Sequence, residues 1–255
     1  MTDKRLYVDA CIPISLIFNQ YPQFPKCQKL MGDVQKKGIH CFIVKPVKLD
    51  IQLVFDTSVN SAKNVLRRLM GHLPIAKGVA PREMLEQTTL KSTDIAIIEH
   101  FFETEYHNAG QDQIAKDLIT SIESWVIQRL EEKLATENEE LLINFLVELN
   151  KEQIEFYSKW DTQKIVVESK LSCQEDTTDY NQEDLTIVKN LKIPGKVLDK
   201  DKRALATLYR IVKDNNNTKI VYASTDYSIV LAKSLIEPNL GFLVSDPLYA
   251  VKKLE

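Results

Sequence analysis

Glycine and proline are scarce in this chain, at seven and nine of 255 residues. Because these residues form turns and interrupt helices, their scarcity favours long helices and argues against an all-β or a disordered chain. No run of about eighteen apolar residues is present, so no membrane span is expected. The sequence also shows no signal peptide, and we therefore expect a cytoplasmic protein without a membrane partner.

Several sites that can be recognised by their motifs are also missing. The four cysteines have no C-x-x-C spacing, which argues against a zinc site and predicts free thiols. A glycine-rich phosphate loop, a Ser-His-Asp order and an H-E-x-x-H motif are absent, and the four histidines are scattered. A net charge of −3 neither indicates nor excludes a nucleic-acid binder.

The most informative stretch is residues 197–233. Apolar residues at helical spacing follow Asp199 and Asp201, which predicts an amphipathic helix that begins at these acids. A short β-branched and aromatic run, residues 219–223, then predicts a strand that ends shortly before Asp226. Asp226 thus falls at the carboxyl end of a strand, the edge where open α/β sheets bind ligands.

Two more acids stand in comparable places. Asp9 directly follows the apolar strand 6–8, and Asp50 lies on a predicted helix just past the second strand and Pro46. Taken one at a time, such aspartates are most often helix caps, turn residues or solvated side chains. Their repetition at strand ends is what favours a site.

The segments LYVDA, DKDKRALA and ASTDYSI together resemble the PIN domain family of metal-dependent nucleases. The last two are most similar to the branch of that family that processes ribosomal RNA. Asp50 stands where the family more often has Glu, and the zinc ribbon of that branch is missing. The resemblance implies a three-layer α/β fold with a central parallel sheet flanked by helices.

The resemblance also implies a catalytic site of Asp9, Asp50, Asp201 and Asp226, with Asp199 as a reserve ligand. Carboxylates without His or Cys suit Mg²⁺ or Mn²⁺, and nearby hydroxyls can orient a ligating carboxylate. The candidates for that supporting role are Ser224 and Thr225. The basic side chains that are candidates for RNA contacts are Lys48, Arg67, Arg68, Lys202 and Arg203, although such charges more often solvate a helix face.

The expected architecture is a nuclease domain of residues 1–83 and 184–255, with residues 84–183 as a helical insertion and polar linker. The predicted parallel strands are residues 6–8, 39–44, 219–223 and 241–244. Residues 169–182 are polar and without an apolar period, which predicts a loop with solvated acids.

The function implied by the resemblance is a metal-dependent endoribonuclease that acts on single-stranded or structured RNA. Roles in RNA processing and as a toxin-type ribonuclease both remain open, and a nuclease acting on DNA is a third alternative. A different class of function is a PIN-fold scaffold with a degenerate pocket. In that case the helical insertion would bind a protein partner or a second copy of the chain.

Overall fold

The computed structural model describes residues 3–18, 21–79, 87–110, 112–136, 140–171, 173–195, 197–215 and 217–255. Within these residues the sheet has five strands, which all run parallel in the order β3-β2-β1-β4-β5. The strands are β1 (Asp3–Val8), β2 (Cys41–Val44), β3 (Gln174–Asp176), β4 (Thr218–Ala223) and β5 (Leu243–Ser245).

Helices account for most of the remaining described residues. They are α1 (Cys11–Ile17), α2 (Phe24–Lys37), α3 (Lys45–Ala76), α4 (Asp94–Asn108), α5 (Gln113–Thr136), α6 (Leu142–Leu171), α7 (Gln182–Asn190), α8 (Asp199–Asp214), α9 (Tyr227–Leu231), α10 (Lys233–Leu240) and α11 (Pro247–Leu254). Among these described elements, α2 and α11 pack together, as do α7 and α8. The expected α/β class, with a parallel sheet flanked by helices, is confirmed.

The two central strands form the core of the sheet. In β1, Leu6, Tyr7 and Val8 are completely buried, and the end of β4 is buried as well. Both faces of a parallel sheet are covered, so its strands are apolar without alternation. The four predicted strands are confirmed, with small shifts at their ends.

The prediction of a solvated loop over residues 169–182 is confirmed for residues 177–181, where the Asp179 side chain is 64% exposed, and is wrong for residues 169–171, which end α6, and for residues 174–176. Residues 174–176 form the edge strand β3, which pairs with β2, and the hydroxyl of buried Tyr7 donates a hydrogen bond to Asp176 Oδ2 at 2.6 Å. Asp176 is therefore not solvated, since its side chain is only 11% exposed. A partner in another strand holds this polar segment, and periodicity along the segment cannot show such a partner.

The chain divides into two compact units. The sheet unit is Met1–Phe55 with Thr162–Glu255, and the helical unit is Asp56–Asp161. The predicted start of the insertion, residue 84, lies outside the described residues. The helical unit begins earlier because α3 continues unbroken for 32 residues. The sheet unit resumes at Thr162, before the predicted end of the insertion, and includes β3.

The helical unit has its own buried contacts. The ring of Trp125 stacks on Phe156 with 4.7 Å between ring centres. A buried ion pair joins Lys77 to Asp94 at 2.5 Å, and the backbone N–H of Lys91 also donates to that carboxylate. In the parts of the chain that the structure describes, no helix has the length and apolar character needed to cross a membrane.

Candidate functional site

The register between β1 and β4 brings Asp9 and Ser224 together. Val8 lies opposite Ala223 in the register, so the residues that follow them, Asp9 and Ser224, are neighbours at the carboxyl end of the two strands. Ser224 Oγ donates to Asp9 Oδ2 at 2.5 Å, and the backbone N–H of Ala10 donates to Asp9 Oδ1 at 2.7 Å. Burial raises the pKa of Asp9, and these hydrogen bonds offset part of that shift.

Asp226 follows two residues after Ser224 and begins α9. Its Oδ1 accepts hydrogen bonds from the backbone N–H groups of Ser228 and Ile229. This is the structural role that an aspartate after a strand most often has. Its second oxygen has no hydrogen-bond partner among the described residues, so the cap leaves part of the carboxylate available.

Asp201 lies in the first turn of α8, and its Oδ2 accepts a hydrogen bond from the backbone N–H of Leu198 at 2.8 Å. The pKa of Asp201 is raised to about 6, chiefly by burial and in part by the negative charges of Asp9 and Asp226, while the hydrogen bond from Leu198 and the charge of Lys200 oppose the change. Asp9 and Asp226 are therefore close enough to Asp201 to act on its charge.

Asp50 differs from the other acids because a lysine side chain occupies its carboxylate. Both of its oxygens accept hydrogen bonds from Lys200 Nζ, at 2.8 and 2.9 Å. Burial alone would lower the pKa of Lys200, but attraction to Asp50, Asp201 and Asp9 outweighs it and raises that pKa. One ammonium group thus supplies positive charge to three of the four predicted carboxylates.

Gly195 brings the segment before α8 against α9. Its φ is +90°, and a Cβ at this position would lie 2.7 Å from Ser228 Oγ. No side chain fits that space without displacing its neighbour, and the backbone conformation also favours glycine. The absence of a side chain therefore allows the segment that leads to Asp201 to contact the helix capped by Asp226.

The remaining predicted residues have peripheral or supporting places. The side chain of Asp199 is 72% exposed and lies 3.5 Å from Lys202 Nζ. Thr225 contributes its backbone, whose N–H donates to Cys11 Sγ at 3.2 Å. Ser224 is placed as the supporting role requires, because it is completely buried and bonds Asp9.

The predicted RNA-contacting side chains are mostly engaged with neighbours. Lys48 pairs with Glu175 at 2.5 Å. In the helical unit, Arg68 makes two hydrogen bonds to Glu105, and Arg67 makes one to Asn64. Among the described residues, Arg203 has no ion pair or side-chain hydrogen bond, and it is exposed.

The sequence interpretation overlooked two residues of this site. Lys200 lies between Asp199 and Asp201 in the sequence, and the two aspartates led to an interpretation of this helix start as acidic only. Tyr222 appeared to be an ordinary strand residue, yet its completely buried hydroxyl lies beside the carboxylate of Asp9. Burial and the charge of Asp9 raise the pKa of Tyr222, so its hydroxyl belongs to the same polar cluster.

The donor chemistry of the cluster suits a hard divalent cation. Carboxylate oxygens are the ligands that Mg²⁺ prefers, and this ion commonly takes only one or two carboxylates with water and phosphate oxygens. The described residues contain no group of three or more His, Cys, Asp or Glu side chains arranged to hold an ion. The arrangement therefore fits a site of two carboxylates better than one in which all four converge.

Comparisons with protein-family models, with curated proteins and with solved structures found no match to this chain.

Proposed function

We propose that this chain is a Mg²⁺- or Mn²⁺-dependent nuclease of PIN-like fold that hydrolyses phosphodiester bonds in RNA. The observation that carries the proposal is that Asp9 and Asp226, at the carboxyl ends of β1 and β4, lie close enough to Asp201 at the start of α8 to act on its charge. These acids come from distant parts of the sequence. Their meeting at the ligand-binding edge of a parallel sheet supports the order of motifs that suggested the family.

Asp201 and Asp226 would hold the metal ion, because each keeps a carboxylate oxygen without a partner among the described residues. When bound, a divalent cation supplies positive charge to the phosphate and lowers the pKa of a coordinated water. Asp9 is positioned by Ser224 and adds negative charge that attracts the cation.

Lys200 would act on the substrate directly, because it carries an ammonium beside Asp50 that can attract a phosphate oxygen.

Asp226→Asn is the sharpest test of this site. Asparagine is as good a helix cap as aspartate, so the fold should persist while a carboxylate is lost. Labelled RNA and DNA, single- and double-stranded, are incubated with Mg²⁺, Mn²⁺ or EDTA. We expect cleavage of RNA by the wild type only with metal, and a loss of about 100-fold or more in Asp226→Asn.

Asp246→Asn is the matched control. Asp246 also follows a strand and caps a helix, but its other oxygen pairs with Lys26 at 2.9 Å. This variant should cleave as the wild type does. Cleavage that is unchanged in Asp226→Asn, or that proceeds in EDTA, would overturn the proposed site.

A catalytically inactive scaffold is the second candidate. It is favoured by the Lys200 ion pair, which engages both oxygens of Asp50, and by the absence among described residues of three acids that surround one point. No cleavage of any of the four substrates, together with no Mn²⁺ binding at millimolar concentration, would support the scaffold.

A further inference from the structure

Beside the acidic cluster lies a pocket of about 380 Å³, whose wall includes Asp50 and Lys200. Its volume is in the range of sites that hold a small organic group. The pocket belongs entirely to the sheet unit, and it combines an apolar surface with basic groups.

The apolar surface comes from side chains that are unusually exposed. Leu49 and Leu53 lie one turn apart on α3 and are 62% and 64% exposed. Tyr180 adds a half-buried ring that makes no aromatic contact with other described residues. The ring of Tyr180 is the kind of surface on which a nucleobase stacks, and the two leucines extend the apolar wall of the pocket.

The basic groups lie around this surface. Arg203 is exposed and unpaired among the described residues, while Lys45 pairs with Asp179 at 3.3 Å. Both partners of that pair are more than half exposed, so the pair contributes little stability and a phosphate can replace it. The pocket therefore has positive groups available in a chain whose overall charge is negative.

We propose that this pocket binds one nucleotide of a single-stranded nucleic acid, with its base on Leu49, Leu53 and Tyr180 and its phosphate at Arg203. A duplex would keep its bases stacked within the helix, so this surface requires an unpaired base. The inference rests on the proposed nuclease function and specifies its substrate. Because Asp50 and Lys200 line the same pocket, the adjoining phosphate of the strand would reach the acidic cluster.

The test measures the binding of fluorescein-labelled oligouridylate by anisotropy in EDTA, where no cleavage occurs. Oligothymidylate, UMP and a double-stranded RNA are compared in parallel. We expect the single strands to bind and the duplex to bind at least about tenfold more weakly. Tyr180→Ala and Leu49→Ser/Leu53→Ser should each weaken binding by about tenfold.

Arg203→Ala should lower the slope of log affinity against log salt by about 0.7, as expected when one phosphate contact to a single strand is lost. Ile154→Ser and Lys252→Ala are matched controls, because both residues are exposed and neither lines the pocket. Both controls should bind as the wild type does. All variants should keep the thermal midpoint of the wild type, since the altered side chains are at least partly exposed.

Unchanged binding in the pocket variants, or equal affinity for the duplex, would overturn this inference. The failure of the proposed function would look different. If the wild type binds oligouridylate through these residues but never cleaves it, the proposed binding pocket is supported and the proposed nuclease function is contradicted. If the wild type cleaves RNA and the pocket variants have an unchanged KM, the proposed nuclease function is supported and the proposed binding pocket is contradicted.

Discussion

Asp201 carries a charge that the folded protein disfavours. Because its pKa is raised to about 6 from the ordinary 3.8, folding favours the neutral acid. The stabilising contribution of that neutral form is complete below pH 3.8 and is lost as the pH rises through 6. Above that pH, the ionised group opposes folding unless a cation is bound.

We therefore expect Asp201→Asn to be more stable than the wild type at pH 8 in EDTA. The gain should be about 1 kcal/mol after screening by solvent, and it should disappear at pH 4 and below. Asparagine can still accept the hydrogen bond from Leu198. Urea denaturation across this pH range measures the difference in the free energy of unfolding.

Asp199→Asn is the control for that measurement, since it removes a charge from the same helical turn at a side chain that is 72% exposed. It should not show the gain at pH 8. Adding Mn²⁺ should stabilise the wild type more than Asp201→Asn. If Asp201→Asn is the less stable protein at pH 8, the aspartate serves mainly as part of the helix start.

Besides its pairing with β2, strand β3 receives a side-chain hydrogen bond from Tyr7 in the central strand β1. Tyr7→Phe keeps the ring and its packing against Phe42, at 5.4 Å between ring centres, but removes the hydrogen bond to Asp176. A hydrogen bond to a charged group contributes about 1.5–3 kcal/mol, and we expect a loss of stability of that size. Denaturation by urea should show it.

Hydrogen exchange can locate the effect of Tyr7→Phe. The amides of residues 174–176 should exchange faster than in the wild type, whereas those of β5, at the opposite edge of the sheet, should change much less. Equal acceleration at both edges would contradict a local role for the tyrosine.

The sequence predicts the elements whose stability is local and misses those whose stability depends on distant residues. The helix α8 could be predicted because Leu205, Leu208 and Ile211 recur at helical spacing behind Asp199 and Asp201. The strand β3 could not, because its sequence QED has no apolar residue and is held by Tyr7 from another strand.

The same distinction applies to the site. The order of acids predicts that Asp9, Asp201 and Asp226 lie at one edge, and the structure brings them within electrostatic reach. The pairing of Asp50 with Lys200 joins α3 to α8 through residues that are 150 positions apart in sequence. No spacing rule contains that information.

At the scale of the whole molecule, the helical unit interrupts the sheet unit between Phe55 and Thr162. The two ends of the sheet unit lie near each other, because Lys164 Nζ is 4.8 Å from the centre of the Phe55 ring. A short Gly/Ser linker can therefore join them at a small entropic cost.

We expect a variant in which such a linker replaces residues 56–161 to fold, with cooperative unfolding by circular dichroism and retained binding of oligouridylate. Deletion of residues 84–159, which cuts inside the helical unit at both ends, provides the contrast. It would remove the other helices of the helical unit but leave the second part of α3. The side chains that are buried in the intact chain would then be exposed, namely Val59, Val65, Leu66, Leu69 and Leu73. This second variant should aggregate. If the linker variant does not fold, the sheet unit requires the helical unit.

Gly195 has a consequence for how this protein can change over evolutionary time. Substitution of any of the four aspartates removes a carboxylate from the site, whereas Gly195 contributes no functional group. Even alanine would meet Ser228, beside the helix that Asp226 caps. Two homologous chains with the same four aspartates could thus differ in the distance between Asp201 and Asp226 because they differ at position 195. A comparison of their acidic residues alone would not reveal this difference.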